Sequence, residues 1–266
     1  MSGLRQDGSS APGAPASARF EQAAITDSGR VRSRNEDSML SRPENGLWAV
    51  ADGMGGHSAG DLASRIVVEE LARIPPASSA AELLANCEAR LVDANSHLMK
   101  LAGAHDGEII GTTVAVLLIY QEFFACVWAG DSRIYRIRSS EIQQLSVDHT
   151  EVQELVAEGK LSAEEARAWP RRNVITRAIG TYDDPELEMT NGALEPGDIF
   201  VICSDGLTNH VDDREILALA NDNPPQRACD LLVDLTLDRG ATDNVTTVVV
   251  RFDPAVSAAA PSATRG

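Results

Sequence analysis

One device recurs along this chain: an apolar run that abuts an aspartate. Residues 47–51 lead into Asp52, within LWAVADGMGGHSAG, and the runs at 123–129 and 199–203 lead to Asp131 and Asp205. Asp243 stands just ahead of the last apolar run, NVTTVVVRF. Runs of this kind predict buried strands. Buried strands of one sandwich direct their ends to a common edge, so the four aspartates are expected at one place. Glu36 and Asp37, at the start of another strand, bring the group to six carboxylates. Each has a plainer reading when taken singly. Asp-Gly is ordinary turn chemistry, Asp243-Asn244 suits a turn or cap, and Glu36-Asp37 suits a solvated surface pair. A turn, however, requires no apolar strand before each aspartate, and the conjunction favours a site.

Six carboxylates at one edge repel one another unless cations neutralise them. Oxygen donors alone favour Mg²⁺ or Mn²⁺ over zinc, and the histidines and cysteines show no zinc-ligand spacing. A pair of such ions bridged by a carboxylate is a device for hydrolysing phosphate esters. Arg32, four residues before Glu36, can grip a phosphate bidentately; its alternative is a surface arginine in a basic turn with Arg30 and Arg34. The glycines after Asp52 permit close approach of main chain to a ligand.

The net charge of −17 speaks against binding to nucleic acid or anionic membrane through a general field. Cys87, Cys126, Cys203 and Cys229 lie apart among apolar residues and are expected as buried thiols in a reducing compartment. No apolar run is long enough to span a bilayer, and no signal-like segment follows Arg5, so the cytoplasm is the expected location.

Residues 1–18 and 254–266 are rich in Ser, Ala, Pro and Gly and read as disordered tails around a folded unit at 19–253. Within it, strands are expected at 20–27, in the latter part of 29–40 after an arginine-bearing turn, at 47–51, 113–120, 123–128, 132–139 and 141–145, near 186–194, and at 198–204 and 244–252. Helices are expected at about 59–73 and 79–101, the second with Leu84, Cys87, Leu91, Ala94 and Leu98 in one stripe. Further helices are expected at 212–220, capped by Asp212, and at 225–239, with Ala228, Leu231, Leu232 and Leu235 on one face. The polar piece 148–172 reads as a helical surface subdomain. Helices and strands come in blocks, which argues for an α+β pair of antiparallel sheets covered by helices rather than a doubly wound parallel sheet.

The motifs VRSRNED (31–37), VADGMGGHSAG (50–60), GTT (111–113), AGDSRIY (129–135), NVITRAIG (173–180), CSDGL (203–207) and TDNVT (242–246) resemble the protein phosphatase 2C (PPM) family in its bacterial form. The resemblance covers about residues 20–252. It implies a four-layer αββα sandwich that removes phosphate from phosphoserine and phosphothreonine in proteins, with two Mn²⁺ or Mg²⁺ ions. Carried onto this sequence, it implies that Asp52 bridges both ions and that the Gly53 carbonyl binds one of them. Asp205 and Asp243 hold the other, Glu36 contacts the cluster through water, and Asp37 sits close behind it. Asp131 matches the holder of a weaker third ion, Arg32 the phosphate-binding arginine, and Asn244 a residue that orients Asp243. Asp52, Asp37 and Arg32 form the implied catalytic group. Segment 148–172 resembles the variable flap where substrate choice is made. Met54 stands where many eukaryotic members carry a histidine proposed as general acid. His57 is not assigned that role, and His149 is assigned no chemistry.

The implied partners are phosphorylated proteins, including a serine/threonine kinase that the chain opposes in bacterial signal transduction, and the expected state is a monomer. Two rival readings stand beside this one. A non-catalytic scaffold would have lost a metal aspartate, and none of the core ones is missing. A different metal-dependent phosphoesterase would act on small phosphates or nucleic acid, the latter disfavoured by the negative charge.

Overall fold

The computed structural model describes residues 20–55, 59–104 and 109–253; both terminal segments and His57 lie outside the described residues. The strands are β1 (Phe20–Asp27), β2 (Asp37–Arg42), β3 (Leu47–Gly55), β4 (Ile110–Thr112), β5 (Val114–Tyr120), β6 (Phe123–Ala129), β7 (Arg133–Arg138), β8 (Glu141–Gln144), β9 (Glu188–Ala193), β10 (Ile199–Cys203) and β11 (Val245–Phe252). The helices are α1 (Ala59–Ala72), α2 (Ala80–Ala104), α3 (Glu151–Ala157), α4 (Ala163–Arg167), α5 (Asp205–Thr208), α6 (Asp213–Asp222) and α7 (Pro225–Asp238). One sheet runs β1-β11-β10-β7-β8; the other runs β2-β3-β5-β6-β9, with β4 paired to β3. Among the described residues the strand pairings are all antiparallel.

The apolar runs are continuous because the central strands are covered on both faces. On β3, Leu47, Ala49 and Ala51 join the layer beneath α1 and α2, while Trp48 and Val50 point into the layer between the sheets. There they meet Phe200 and Ile202 of β10 and Val248 and Val250 of β11. The opposite faces of β10 and β11, through Val201, Cys203, Val245 and Val249, pack under α6 and α7. Three apolar layers therefore separate four structural ones, and the expected αββα sandwich is present.

Differences from expectation lie at edges. The α2 stripe begins at Leu83, which is buried, whereas Leu84 is only half-buried. On α7 the buried face includes Cys229, Val233 and Thr236, with Leu231 and Leu235 at its margin. The strand read as ending at Asp52 continues to Gly55, because β4 pairs with it there: Gly53 lies opposite Thr112 and Gly55 opposite Ile110. β4 is too short to show a period, and α5, a single turn, was likewise not legible. All four cysteines are buried free thiols, and among the described residues no helix is long and apolar enough to cross a membrane.

Candidate metal centre

The ends of strands from both sheets meet at one edge. Asp37 opens β2 directly opposite Asp52 on β3. Asp131 follows β6, Asp205 follows β10 as the first residue of α5, and Asp243 precedes β11. The sequence-predicted carboxylates are thus brought together by strand register.

Asp52 retains some exposed surface, yet its carboxyl is hemmed in by protein and by four other acids. Burial first, then the charges of Asp37, Asp205, Asp131 and Asp243, push its pKa well above the carboxylate range. Burial likewise raises Asp205, helped by Asp243, and pushes Asp131 up to about 8, helped by Asp205 and Asp148. Asp37 rises to about 6 through burial, against two hydroxyl donors. Those donors are Ser204 Oγ and Thr246 Oγ1, at 2.8 and 2.6 Å from Asp37 Oδ2. Both belong to the other sheet's side of the sandwich. Glu36 is raised mainly by burial, with its carboxyl pressed against Gly60, where a Cβ would come within 2.8 Å.

The main chain around Asp52 is tightly held. Its N–H donates to Thr113 Oγ1 (3.1 Å), and its carbonyl accepts from Thr113 N (2.8 Å) and Thr112 Oγ1 (2.9 Å). Gly53 donates to the Glu36 carbonyl at 3.1 Å, and a Cβ there would fall 2.0 Å from the Gly60 carbonyl oxygen. The glycine is required for close approach, and the Asp-Gly pair lies in a strand rather than a turn.

Arg32 is exposed, and its Nη2 donates to Asp243 Oδ2 at 2.7 Å. Its charge also acts on Glu36 and Asp52, so the guanidinium leans over the cluster. Asp205 Oδ2 accepts from Asn209 Nδ2 at 3.0 Å. Asn244 reaches Asp243 through its main-chain N–H (2.9 Å to Oδ1), not its side chain. That side chain instead ties down the arginine turn, accepting from Glu36 N and donating to the carbonyls of Ser28 and Arg34.

These residues fit hydrated divalent cations. The donors are oxygens, their negative charge exceeds that of the one guanidinium bonded to Asp243, and Asp37 Oδ1 is buried with no hydrogen-bond partner among the described residues. No three His, Cys, Asp or Glu side chains close on a single point among the described residues. Ions at such a site would keep several waters beside their carboxylate ligands. Beside the cluster, a cleft of about 770 Å³ runs between the 148–173 segment and α5–α6, with Asp131, Asp205, Arg133, Arg172 and Arg214 on its walls.

Thr113, Ser204 and Thr246 fall within the motifs GTT, CSDGL and TDNVT, but their bonds to the site join residues distant in the chain and carry no local pattern. Asn209 serves Asp205 from nearby, but a lone Asn carries no sequence signal. Thr246→Val tests this layer. Removing the hydroxyl leaves Asp37 with one donor, and the variant is expected to lose about 1–3 kcal/mol of stability in a urea titration.

Known proteins resemble this chain over most of its length. The profile of the family described as Protein phosphatase 2C matches residues 28–229. The serine/threonine protein phosphatase PstP of Mycobacterium tuberculosis is 38% identical over 228 residues, covering 85% of this chain and 44% of PstP. This chain therefore spans less than half of PstP's length. Protein phosphatase PhpP of Streptococcus pneumoniae is 34% identical over 244 residues, covering 88% and 98%. Among solved structures, PppA, described as a key regulatory component of T6SS in Pseudomonas aeruginosa, superposes with a TM-score of 0.82 at 40% identity, over 88% of this chain and 98% of that one. The PstP catalytic domain, solved in complex with two manganese ions, gives 0.80 at 35% identity, over 88% and 99%. The chain belongs to the protein phosphatase 2C family.

Proposed function

We propose that this chain is a metal-dependent protein-serine/threonine phosphatase that hydrolyses phosphoserine and phosphothreonine in proteins and opposes a bacterial serine/threonine kinase in signal transduction. The observation that carries the reading is the Asp52 carboxyl, enclosed among Asp37, Asp131, Asp205 and Asp243 with Arg32 above them. When bound there, two Mn²⁺ or Mg²⁺ ions supply activated water at neutral pH and positive charge for the phosphoryl oxygens.

The chain's own residues then divide the work. Asp52 would bridge the ions, with the Gly53 carbonyl on one and Asp205 and Asp243 on the other. Glu36 would act through water, and Asp131 would hold a weaker third ion. Asp37 stands directly behind Asp52 and fixes the spacing of the cluster. Arg32 is free to swing from Asp243 to a phosphate, because its guanidinium is exposed and, among the described residues, is held by one ion pair. The cleft beside Asp131 and Asp205 would receive the phosphopeptide, and its flap wall, 148–172, would choose among phosphoproteins. The expected state is a cytoplasmic monomer acting on neither nucleic acid nor membrane.

A phosphothreonine peptide is the test substrate. Phosphate release is expected with Mn²⁺, to vanish in excess chelator and to return when Mn²⁺ is restored. Release that persists through chelation would sink the mechanism.

A further inference from the structure

His149 has no place in the chemistry above, yet it is built into the cluster's frame. It is buried at the entry to the flap. Its Nδ1 accepts from Gly130 N at 3.1 Å, and its own N–H donates to the Gly130 carbonyl at 3.0 Å. One residue thus holds both polar main-chain groups of the glycine immediately before Asp131. Gly130 has little freedom otherwise. Its φ is +109°, and a Cβ would meet Thr113 at 2.6 Å. Two residues on, Ser132 pairs through Oγ with Thr113 Oγ1 at 2.7 Å, the same oxygen that accepts from Asp52 N.

The flap is tied to the same point from both ends. At its entry, Trp128 stacks on the imidazole and donates to the Val147 carbonyl, while Asp148 takes both Nε and Nη2 of Arg133. At its exit, Thr176 N donates to the His149 carbonyl, and Thr150 bridges to Ile175. With Nδ1 accepting, the ring proton belongs on Nε2, which lies 3.4 Å from Glu188 Oε1. Burial lowers the imidazole's pKa, which keeps the Nδ1 lone pair available.

We propose that His149 is a positioning residue for Asp131: it sets the strand end that carries this carboxylate and makes the affinity of the weaker ion depend on how the flap is seated. The proposal rests on the reading of Asp131 as an ion-holding group. It predicts that changes at the flap base alter binding at Asp131 without altering the ions at Asp52, Asp205 and Asp243.

Two conservative variants separate positioning from bulk packing. H149N presents its side-chain oxygen where Nδ1 stands; H149Q reaches towards Nε2 and leaves the Gly130 N–H without its acceptor. In the full chain, Gly130 amide exchange is read by NMR and Mn²⁺ binding by calorimetry. H149Q is expected to speed Gly130 exchange and to weaken the weakest Mn²⁺ event, each by about tenfold, as loss of one buried hydrogen bond implies. The tighter events should stay within about twofold, and H149N should track the parent in both readouts. If H149Q leaves the weak event unmoved, or if the two variants behave alike, the proposal fails. D131N serves as reference. A D131N titration identical to the parent's overturns the ion assignment at Asp131, and the affinity claim with it. A weak event lost in D131N but intact in H149Q overturns the positioning role alone.

Discussion

Asp52→Asn lowers phosphopeptide turnover by about a thousandfold and, in chelator, raises the melting temperature. The first effect follows from position. If Asp52 holds both ions as proposed, no other carboxylate can replace it, and loss of one such preorganised electrostatic contact removes about that much rate. The second effect has the opposite sign because the same group is costly to fold. Its pKa stands well above the carboxylate range in the folded chain, so the native state binds the proton more tightly than the unfolded one. Stability therefore falls as pH rises from about 4, the ordinary carboxylate value, towards the raised one. Asparagine removes that loss. A gain on the order of 1–2 kcal/mol, a few degrees in a domain of this size, is the expected result at neutral pH. The gain should shrink towards zero below about pH 4, where both states are protonated. Saturating Mn²⁺ should reverse the ranking, since the parent alone then gains binding free energy. A melting temperature for Asp52→Asn in chelator at or below the parent's would contradict the account.

Gly206→Ala is the second large effect, and it acts through the main chain. A Cβ on Gly206 would fall 1.8 Å from the carbonyl oxygen of Asn244 and 2.9 Å from its carbonyl carbon. These are backbone atoms of the segment that carries Asp243, while Gly206 itself follows Asp205. The methyl cannot be absorbed by a rotating side chain. It must drive apart the two stretches that present Asp205 and Asp243. A displacement of about 1 Å costs on the order of a hundredfold in rate, and overpacking of this kind costs about 1–3 kcal/mol. Gly103→Ala is the contrast: it lies on α2 with nothing within 4 Å of the added carbon and should leave turnover unchanged. Equal activities in the two variants would show that Asp205 and Asp243 need not be held at a fixed separation.

These expectations rest on features of unequal visibility in the sequence. The strand-end aspartates were legible because strands buried on both faces cannot alternate. They appear as unbroken apolar runs, and a carboxylate at the end of such a run stands out. Strand register did the rest by setting Asp37 opposite Asp52. The fastening of the cluster was not legible. Thr246 lies 209 residues from Asp37 in the chain, and Ser204 lies 167 away. No local pattern announces such a bond. β4 was missed for a related reason: three residues show no period, and their pairing with β3 alone makes them a strand. The threonines of GTT could be matched as a motif, but their grip on the Asp52 main chain appears only in three dimensions. The expected contact of Asn244 with Asp243 runs through its main-chain N–H, while its side chain ties down the arginine turn.

The bond from Asp37 to Ser204 and Thr246 has one more consequence. It crosses from one sheet to the other, so Asp52 is anchored on one slab of the sandwich and Asp205 and Asp243 on the other. The separation of the Asp52 carboxyl from Asp205 and Asp243 then depends on how the two slabs are spaced, and Trp48 and Phe200 are among the side chains packed between them. If these acids hold the ions as proposed, preference for the larger or the smaller of two similar cations would respond to core side chains that touch neither. A lineage could retune its metal by repacking the interior and leave every ligand in place.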